Sequence, residues 1–449
     1  MFELLSTVYG DAQMAQVFGE RRTVEQWLTV EAALARAQAA VGVLDEDDAR
    51  AIADAARVDD IDLAALWSTA KTVGYPILGL VRQLAARLPD GPDGHVHYGA
   101  TTQDIMDTAL ALQLGEAADL LTARVGALGD AVARLVDEHR ATLMPGRTHG
   151  QQAVPTTFGA HLAPSLTELL RARRRLAAAR HDAAVVSLYG AGGTSAALGP
   201  QAAEVRRTLA EILGLRAVDV SWHASRDGVV AFAQAATLVA GACARLARNV
   251  IDLSRTEIGE VREADGKHRG ASSTMPQKAN PILAEGIVGM STVVGALCSS
   301  LQRSLEVPQE RAAGEWHVEW FALPHLLTQT ASALRCTTEL VGGLHVDADA
   351  MRTNLDADNG LVMAEAYMIA LAPALGRELA HDVVYAAARD VRANGQPLVD
   401  AVRRRLAADG AEATLDAAIE PADYVGDAVR MCATALDLWT SSTKDRATA

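Results

Sequence analysis

The chain has 449 residues, half of them hydrophobic, with aromatics at 4% and a formal net charge of −15. That length allows about three domains, or one large helical body with end pieces. Much of the apolar fraction is alanine, so closely packed helices are expected and a β-sandwich is not. The acidic balance excludes a nucleic-acid partner held on a basic surface, but leaves room for an anionic substrate in a locally positive site. Four cysteines, Cys243, Cys298, Cys336 and Cys432, lie far apart without a C-x-x-C pair, which fits buried thiols in a reducing compartment rather than disulfides or zinc. The opening Met-Phe-Glu-Leu-Leu lacks the basic-then-apolar build of a signal peptide, so a cytoplasmic protein is expected.

In chain order, Val24, Trp27, Leu28, Glu31, Leu34 and Ala35 predict a helix over 20–43 that ends near Gly42, and Asp45 caps a second through Ile52. Short amphipathic helices follow to about Leu88, and Asp90 to Gly94 form a turn cluster that marks the first boundary. Thr101, Thr102 and Asp104 can cap a long helix whose apolar stripe runs through Leu110, Leu114 and Leu121. Between Pro145 and Pro155 a polar stretch containing Arg147, Thr148, His149 and Gln151 reads as a loop, and a lone loop histidine is ordinarily structural or solvated. A helix from Pro164 to Val186 carries Arg171, Arg173, Arg174, Arg175 and Arg180 on a solvated face. Tyr189 to Ser195 is a glycine-rich turn without dinucleotide-binding spacing.

Three nearly charge-free helices can be drawn: 228–245, 282–301 and 361–371. The uncharged run from Gly228 to Ala244 approaches the length of a membrane span. Its Ala, Gly, Gln and Thr content, and the bracketing Arg226, Asp227 and Arg245, predict a buried bundle helix and no membrane association. Helices apolar all round need neighbours from other chains, so self-association is expected.

Residues 262–269 are polar and read as a loop, followed by Gly270 to Pro281, a small-residue stretch that feeds a helix start. It contains Ser272, Ser273, Lys278 and Asn280. Free N–H groups at that helix start could receive a carboxylate, and a plain capping loop with a solvated lysine accounts for the same residues.

The run Ser272-Ser-Thr-Met-Pro-Gln-Lys278-Ala-Asn280-Pro resembles the signature of the fumarase/aspartase superfamily, Gly-Ser-Ser-x-Met-Pro-x-Lys-x-Asn-Pro, with Ala271 in place of the first glycine. The blocks around Thr101-Thr102-Gln103 and around Arg147-Thr148-His149-Gly-Gln151 resemble its other shared regions, the second in the form found in adenylosuccinate lyases. The block from Glu310-Arg311 to Pro324 aligns with adenylosuccinate lyases at its ends, but their phosphate-binding Ser-Ser and Arg are missing, as is a His-Asp pair near Gly74-Tyr75-Pro76. In its place Trp316-His317-Val-Glu319-Trp320, like the tail from Gly360 to His381, resembles 3-carboxy-cis,cis-muconate cycloisomerases. Those enzymes commonly carry another residue where His149 stands.

The resemblance covers nearly the whole chain. It implies an all-α protein in three parts, 1–104, 105–345 and 346–449, whose long central antiparallel bundle forms the twenty-helix core of a homotetramer. It implies active sites shared between subunits, so that Thr102, His149 and Ser272 meet across chains. It assigns Ser272 as the base, His149 as the general acid, and Lys278 and Asn280 as holders of a substrate carboxylate. Thr101, Thr102, Gln103, Thr148, Gln151, Arg311 and Trp316 are expected, by the same resemblance, as further substrate contacts. The chemistry implied is β-elimination from an N-substituted aspartate with release of fumarate, without cofactor or metal. The alternative is lactone formation on carboxymuconate. The loop 262–271 is expected to close over the substrate.

Overall fold

The computed structural model describes residues 7–266, 269–311, 314–408, 415 and 417–444. Lys267 and His268 of the expected closing loop, and the opening Met-Phe-Glu-Leu-Leu, lie outside them. The protein is all-α. Its longest helices are Thr102–Glu138, Phe158–Ala183, Asp227–Leu253 and Glu315–Gly342, followed by Glu20–Ala40 and Ile282–Leu301, and among the described residues the only sheets are two two-stranded ribbons. By internal contacts the chain divides into two compact units, one of Met1–Val125, Ala172–Gly241 and Gly289–Arg335, the other of Gly126–Arg171, Ala242–Val288 and Cys336–Ala449.

In the first unit, helix Glu20–Ala40 buries the predicted stripe of Val24, Trp27, Leu28, Leu34 and Ala35. These pack with Leu66, Leu80, Leu84, Ile105, Val186 and Leu209 into one core. Asp45 caps helix Glu46–Ala55 by accepting from the Asp47 N–H, and Asp62 caps Leu63–Val73 from Ala65. Such caps are each worth about 1 kcal/mol.

In the second unit, Ala364–Leu375, Arg377–Asn394 and Leu398–Ala408 enclose Leu355, Tyr367, Val383, Val391 and Val402. Gly129 faces the Trp439 indole so closely that a Cβ would stand 2.0 Å from the ring, while Trp439 Nε1 donates to Asp130 at 2.7 Å.

Two elements differ from the sequence expectation. The stretch read as a loop is an antiparallel ribbon, Leu143–Thr148 paired with Gln151–Thr157, with a register irregularity between Gly146 and Arg147. The next helix starts at Phe158, six residues before Pro164. The Thr157 hydroxyl accepts from the Ala160 N–H, and the Phe158 and Gly159 N–H groups donate to the carbonyls of Thr142 and His139. Those bonds satisfy the helix start without proline, which is instead accommodated inside.

The apolar helices also separate. In Asp227–Leu253 61% of the most apolar stretch is buried, as expected, but in Ile282–Glu306 only 28% is. Ala284, Ile287, Met290, Val294, Cys298 and Leu301 line one buried face of the latter, and Val293 is exposed. Both helices are long and apolar enough to cross a membrane by length and composition alone.

Candidate active site

In the first unit the helix beginning at Thr102 is anchored by Asp104, whose carboxylate is fully buried. Its Oδ2 accepts from the N–H groups of Thr101 (3.0 Å) and Gly190 (2.9 Å). Its Oδ1 accepts from Tyr189 N–H (2.9 Å) and Ser187 Oγ (3.1 Å), and lies 2.7 Å from His223 Nε2. Burial pushes this carboxyl up, but the hydrogen bond and charge of His223 and the two peptide N–H groups of Tyr189 and Gly190 outweigh it, holding Asp104 below the usual carboxylate range. Asp104 is therefore both the cap foreseen from sequence and the post to which the glycine turn 189–195 is tied.

Arg311 joins the same cluster. Its Nε donates to Gln103 Oε1 at 2.9 Å, and its Nη2 reaches Thr101 Oγ1 at 3.3 Å and the Ala191 carbonyl at 3.4 Å. Thus Thr101, Gln103 and Arg311, three of the expected substrate contacts, come together. Gln103 is buried and its Nε2 already serves Asp107 and the His223 carbonyl, so it orients Arg311. Thr102 is half-buried beside it. Trp316 is buried one turn further along, with its indole N–H on Asp107 Oδ1 at 3.3 Å.

Behind these residues lies a charge cluster that sequence reasoning missed. Arg226 is 0% exposed and forks to both Asp107 (2.7 and 3.0 Å) and Glu319 (2.8 and 2.5 Å). In the sequence Arg226 is only a charge bracketing an apolar run. Its separation from both carboxylates by about a hundred residues leaves no local pattern to read.

In the second unit His149 and Gly150 form the tip of the ribbon, both with positive φ (52° and 75°), the pattern of a two-residue type I′ turn. His149, Thr148 and Gln151 are exposed there. A non-glycine residue at positive φ is held by its surroundings. The ribbon supplies them: Arg147, two residues before, forks onto Glu260, which is 0% exposed and also accepts from Asn354 Nδ2 at 2.8 Å.

The signature loop is also in this unit. Ser272 Oγ accepts the peptide N–H groups of Thr274 (3.2 Å) and Met275 (3.1 Å). Ala271 bridges Ala279, and the Gly270 carbonyl accepts from both the peptide N–H and Nδ2 of Asn280, so the segment closes on itself. Ala271 sits in that bridge at an ordinary φ, and it is Gly270 that needs the positive value, 64°. Lys278 is exposed.

One expected donor is already engaged. At the helix start after Pro281, the N–H groups of Leu283 and Ala284 donate to the Glu263 carboxylate, at 3.3 and 2.9 Å. The orphan N–H groups of a helix take the nearest carboxylate, and here it is the protein's own.

The class of the protein, a lyase, is given by its family profile. Residues 8–295 match a family profile described as lyase, and residues 360–435 match adenylosuccinate lyase C-terminus. The chain belongs to the fumarase/aspartase superfamily, in the branch of the 3-carboxy-cis,cis-muconate cycloisomerases and adenylosuccinate lyases. It is 39% identical over 431 residues to 3-carboxy-cis,cis-muconate cycloisomerase of Pseudomonas aeruginosa, covering 95% of this chain and 94% of the relative. It is 33% identical over 433 residues to N-acetyl-S-(2-succino)cysteine lyase of Dickeya dadantii, covering 95% and 94%. Its fold is similar to that of the 3-carboxy-cis,cis-muconate lactonizing enzyme of Pseudomonas putida, with a TM-score of 0.91 and 37% identity over 98% of this chain and all of that one.

Proposed function

We propose that the protein catalyses β-elimination from a 2-substituted succinate, breaking a carbon–nitrogen bond and releasing fumarate. The observation that carries this reading is the setting of Ser272 Oγ, which receives two peptide N–H groups and, among the described residues, has no side-chain carboxylate as a hydrogen-bond partner. A serine hydroxyl is a weak base, and donors aimed at its oxygen stabilise the alkoxide that must form.

In the proposed sequence the alkoxide takes a proton from the carbon next to one carboxylate. The electron pair passes into that carboxylate, then forms the carbon–carbon double bond as the amine leaves the adjacent carbon. His149 gives the departing nitrogen its proton. Lys278, Thr101, Thr102 and Arg311 offer the positive charge and hydroxyls that the doubly charged intermediate requires, and each such donor is worth roughly 3 kcal/mol where one has been removed elsewhere. Asn280 and Gln103 hold the loop and Arg311 in place. We further propose a homotetramer, because the uncovered face of Ile282–Leu301 and the exposed Leu238, Phe321 and Ile369 are apolar surface of the kind subunits cover.

Purified protein should release fumarate from at least one N-substituted aspartate, and Ser272→Ala should stop it. Fumarate from an S-substituted succinate alone would move the leaving atom to sulfur, the bond named in the Dickeya relative. The second reading, a lactone-forming cycloisomerase, is favoured by the Trp316–Trp320 block and by the Pseudomonas identity. Turnover of carboxymuconate, with no fumarate from any succinate, would choose it.

A further inference from the structure

The first unit contains a cavity of about 410 Å³. Trp27, Trp67, Met106, Leu110, Trp316 and Trp320 are on its wall, and the exposed Gly74 opens it to solvent. Tyr75 lies nearly parallel to the Trp316 ring, with centroids 6.0 Å apart at 22°, and His317 packs on Trp320 at 4.3 Å. Neither Tyr75 nor His317 lines the cavity, so they hold the two indoles from behind. Rings held on one side offer a fixed apolar surface on the other.

The wall carries no open charge. Its charged residues are Asp107 and Glu319, and all four of their oxygens are taken by Arg226, at 2.7 and 3.0 Å for Asp107 and 2.8 and 2.5 Å for Glu319. Burial raises the Glu319 carboxyl despite the charge of Arg226 beside it. Among the described residues no lysine, arginine or histidine lines the cavity. An anionic group would leave water there without meeting a counter-charge, and a cationic one would find both carboxylates already answered.

The cavity is joined to the donors expected to hold the substrate. Arg311 Nε donates to Gln103 Oε1 at 2.9 Å, and Gln103 Nε2 donates at 3.0 Å to Asp107, which is on the cavity wall. Gln103 and Asp107 are one turn apart on their helix, about 6 Å along its axis. A dicarboxylate held at Arg311 and Thr101 thus has apolar space within reach of a substituent one ring long. We propose that this cavity receives the group carried on the leaving nitrogen, and that the substrate is an aspartate N-substituted with an uncharged aromatic ring. The proposal rests on the elimination reading above and narrows it. The cavity's size lies within the usual range for a small-molecule site, and its wall supplies the apolar contact that such a ring needs.

The test follows fumarate release by the full chain from N-phenylaspartate, N-(4-carboxyphenyl)aspartate and N-methylaspartate. The first two lose anilines of similar basicity and differ by one carboxylate, so kcat/KM should be about 100-fold higher for the phenyl compound. Ala70→Phe, which narrows the cavity, should raise KM for N-phenylaspartate about tenfold. N-methylaspartate, too short to reach the cavity, should change by less than about twofold in the same variant. Trp67→Leu, which removes an aromatic wall, should act in the same direction as Ala70→Phe. Equal kcat/KM for the phenyl and carboxyphenyl compounds would overturn the proposal. So would variants that slow all three substrates alike, which would mark the cavity as merely structural. Fumarate from none of the three would sink the elimination reading itself, whereas fumarate from N-methylaspartate without preference for the phenyl compound over the carboxyphenyl one would sink this proposal alone. If Ala70→Phe does not fold, Trp67→Leu and the substrate pair still decide.

Discussion

The Gly270 carbonyl accepts two hydrogen bonds from Asn280, one from its peptide N–H at 2.9 Å and one from its side-chain Nδ2 at 3.0 Å. This clasp closes the segment that carries Ser272 and Lys278. A methyl at position 270 would stand 2.4 Å from the Asn280 carbonyl oxygen. Gly270→Ala should therefore open the clasp and lower kcat about 100-fold, the scale of a misplaced catalytic group. Gly270 is itself buried and at positive φ, so the melting temperature should fall as well, while the largely exposed residues 271–279 around it limit the loss. Steady-state kinetics beside a thermal melt decide it, and an unaltered kcat would mean that the clasp does not position the base.

Ser272 and Ser273 are neighbours of the same chemistry in different settings: the first accepts two peptide N–H groups, the second is exposed. Ser272→Ala should reduce kcat by about 10²–10⁴-fold, as loss of a general base does, with KM little affected. Ser273→Ala should be mild. The reverse order of effects would transfer the base to Ser273.

A pH dependence follows from His97, whose Nδ1 lies 2.6 Å from Glu31 Oε1. Burial pulls the imidazole down, but the charge and hydrogen bond of Glu31, with the charge of Asp104, outweigh it and raise its pKa. A raised histidine gives stability that is complete below its unfolded value, about 6.5, and is lost as pH climbs through the folded value. The melting temperature of the wild type should exceed that of Glu31→Gln by most at acid pH, and the gap should shrink toward alkaline pH. A gap that grows with pH would contradict the assignment.

Arg147 holds the His149 ribbon through Glu260, a carboxylate with no exposed surface. Arg147→Met leaves that charge buried, retaining only the amide of Asn354. The expected cost is about 3–5 kcal/mol in chemical denaturation. Arg147→Lys should recover only part, because an ammonium cannot replace the two-armed contact.

Much of this was legible locally. The stripe Val24 to Ala35, the Asp45 cap, the helix from Thr102 and the helix start after Pro281 all follow from patterns within a turn or two, and the structure has each. The ribbon around His149 was not legible. Its strands are short and polar, two prolines interrupt them, and each strand depends on a pairing that neither segment signals alone. Glu263 escaped for a similar reason, since it caps a helix whose start lies some twenty residues away.

The sequence by itself determined the helical class, the family and the short blocks that bear the chemistry, because propensity, capping and signature spacing act between residues close along the chain. Only the tertiary structure decided which charges are answered and by whom: Arg226 by Asp107 and Glu319, Asp104 by His223 and the glycine turn, the helix start after Pro281 by Glu263. The physical reason is that a buried charge must find a counter-charge or a donor wherever packing brings one near, and packing joins residues that the chain itself keeps far apart.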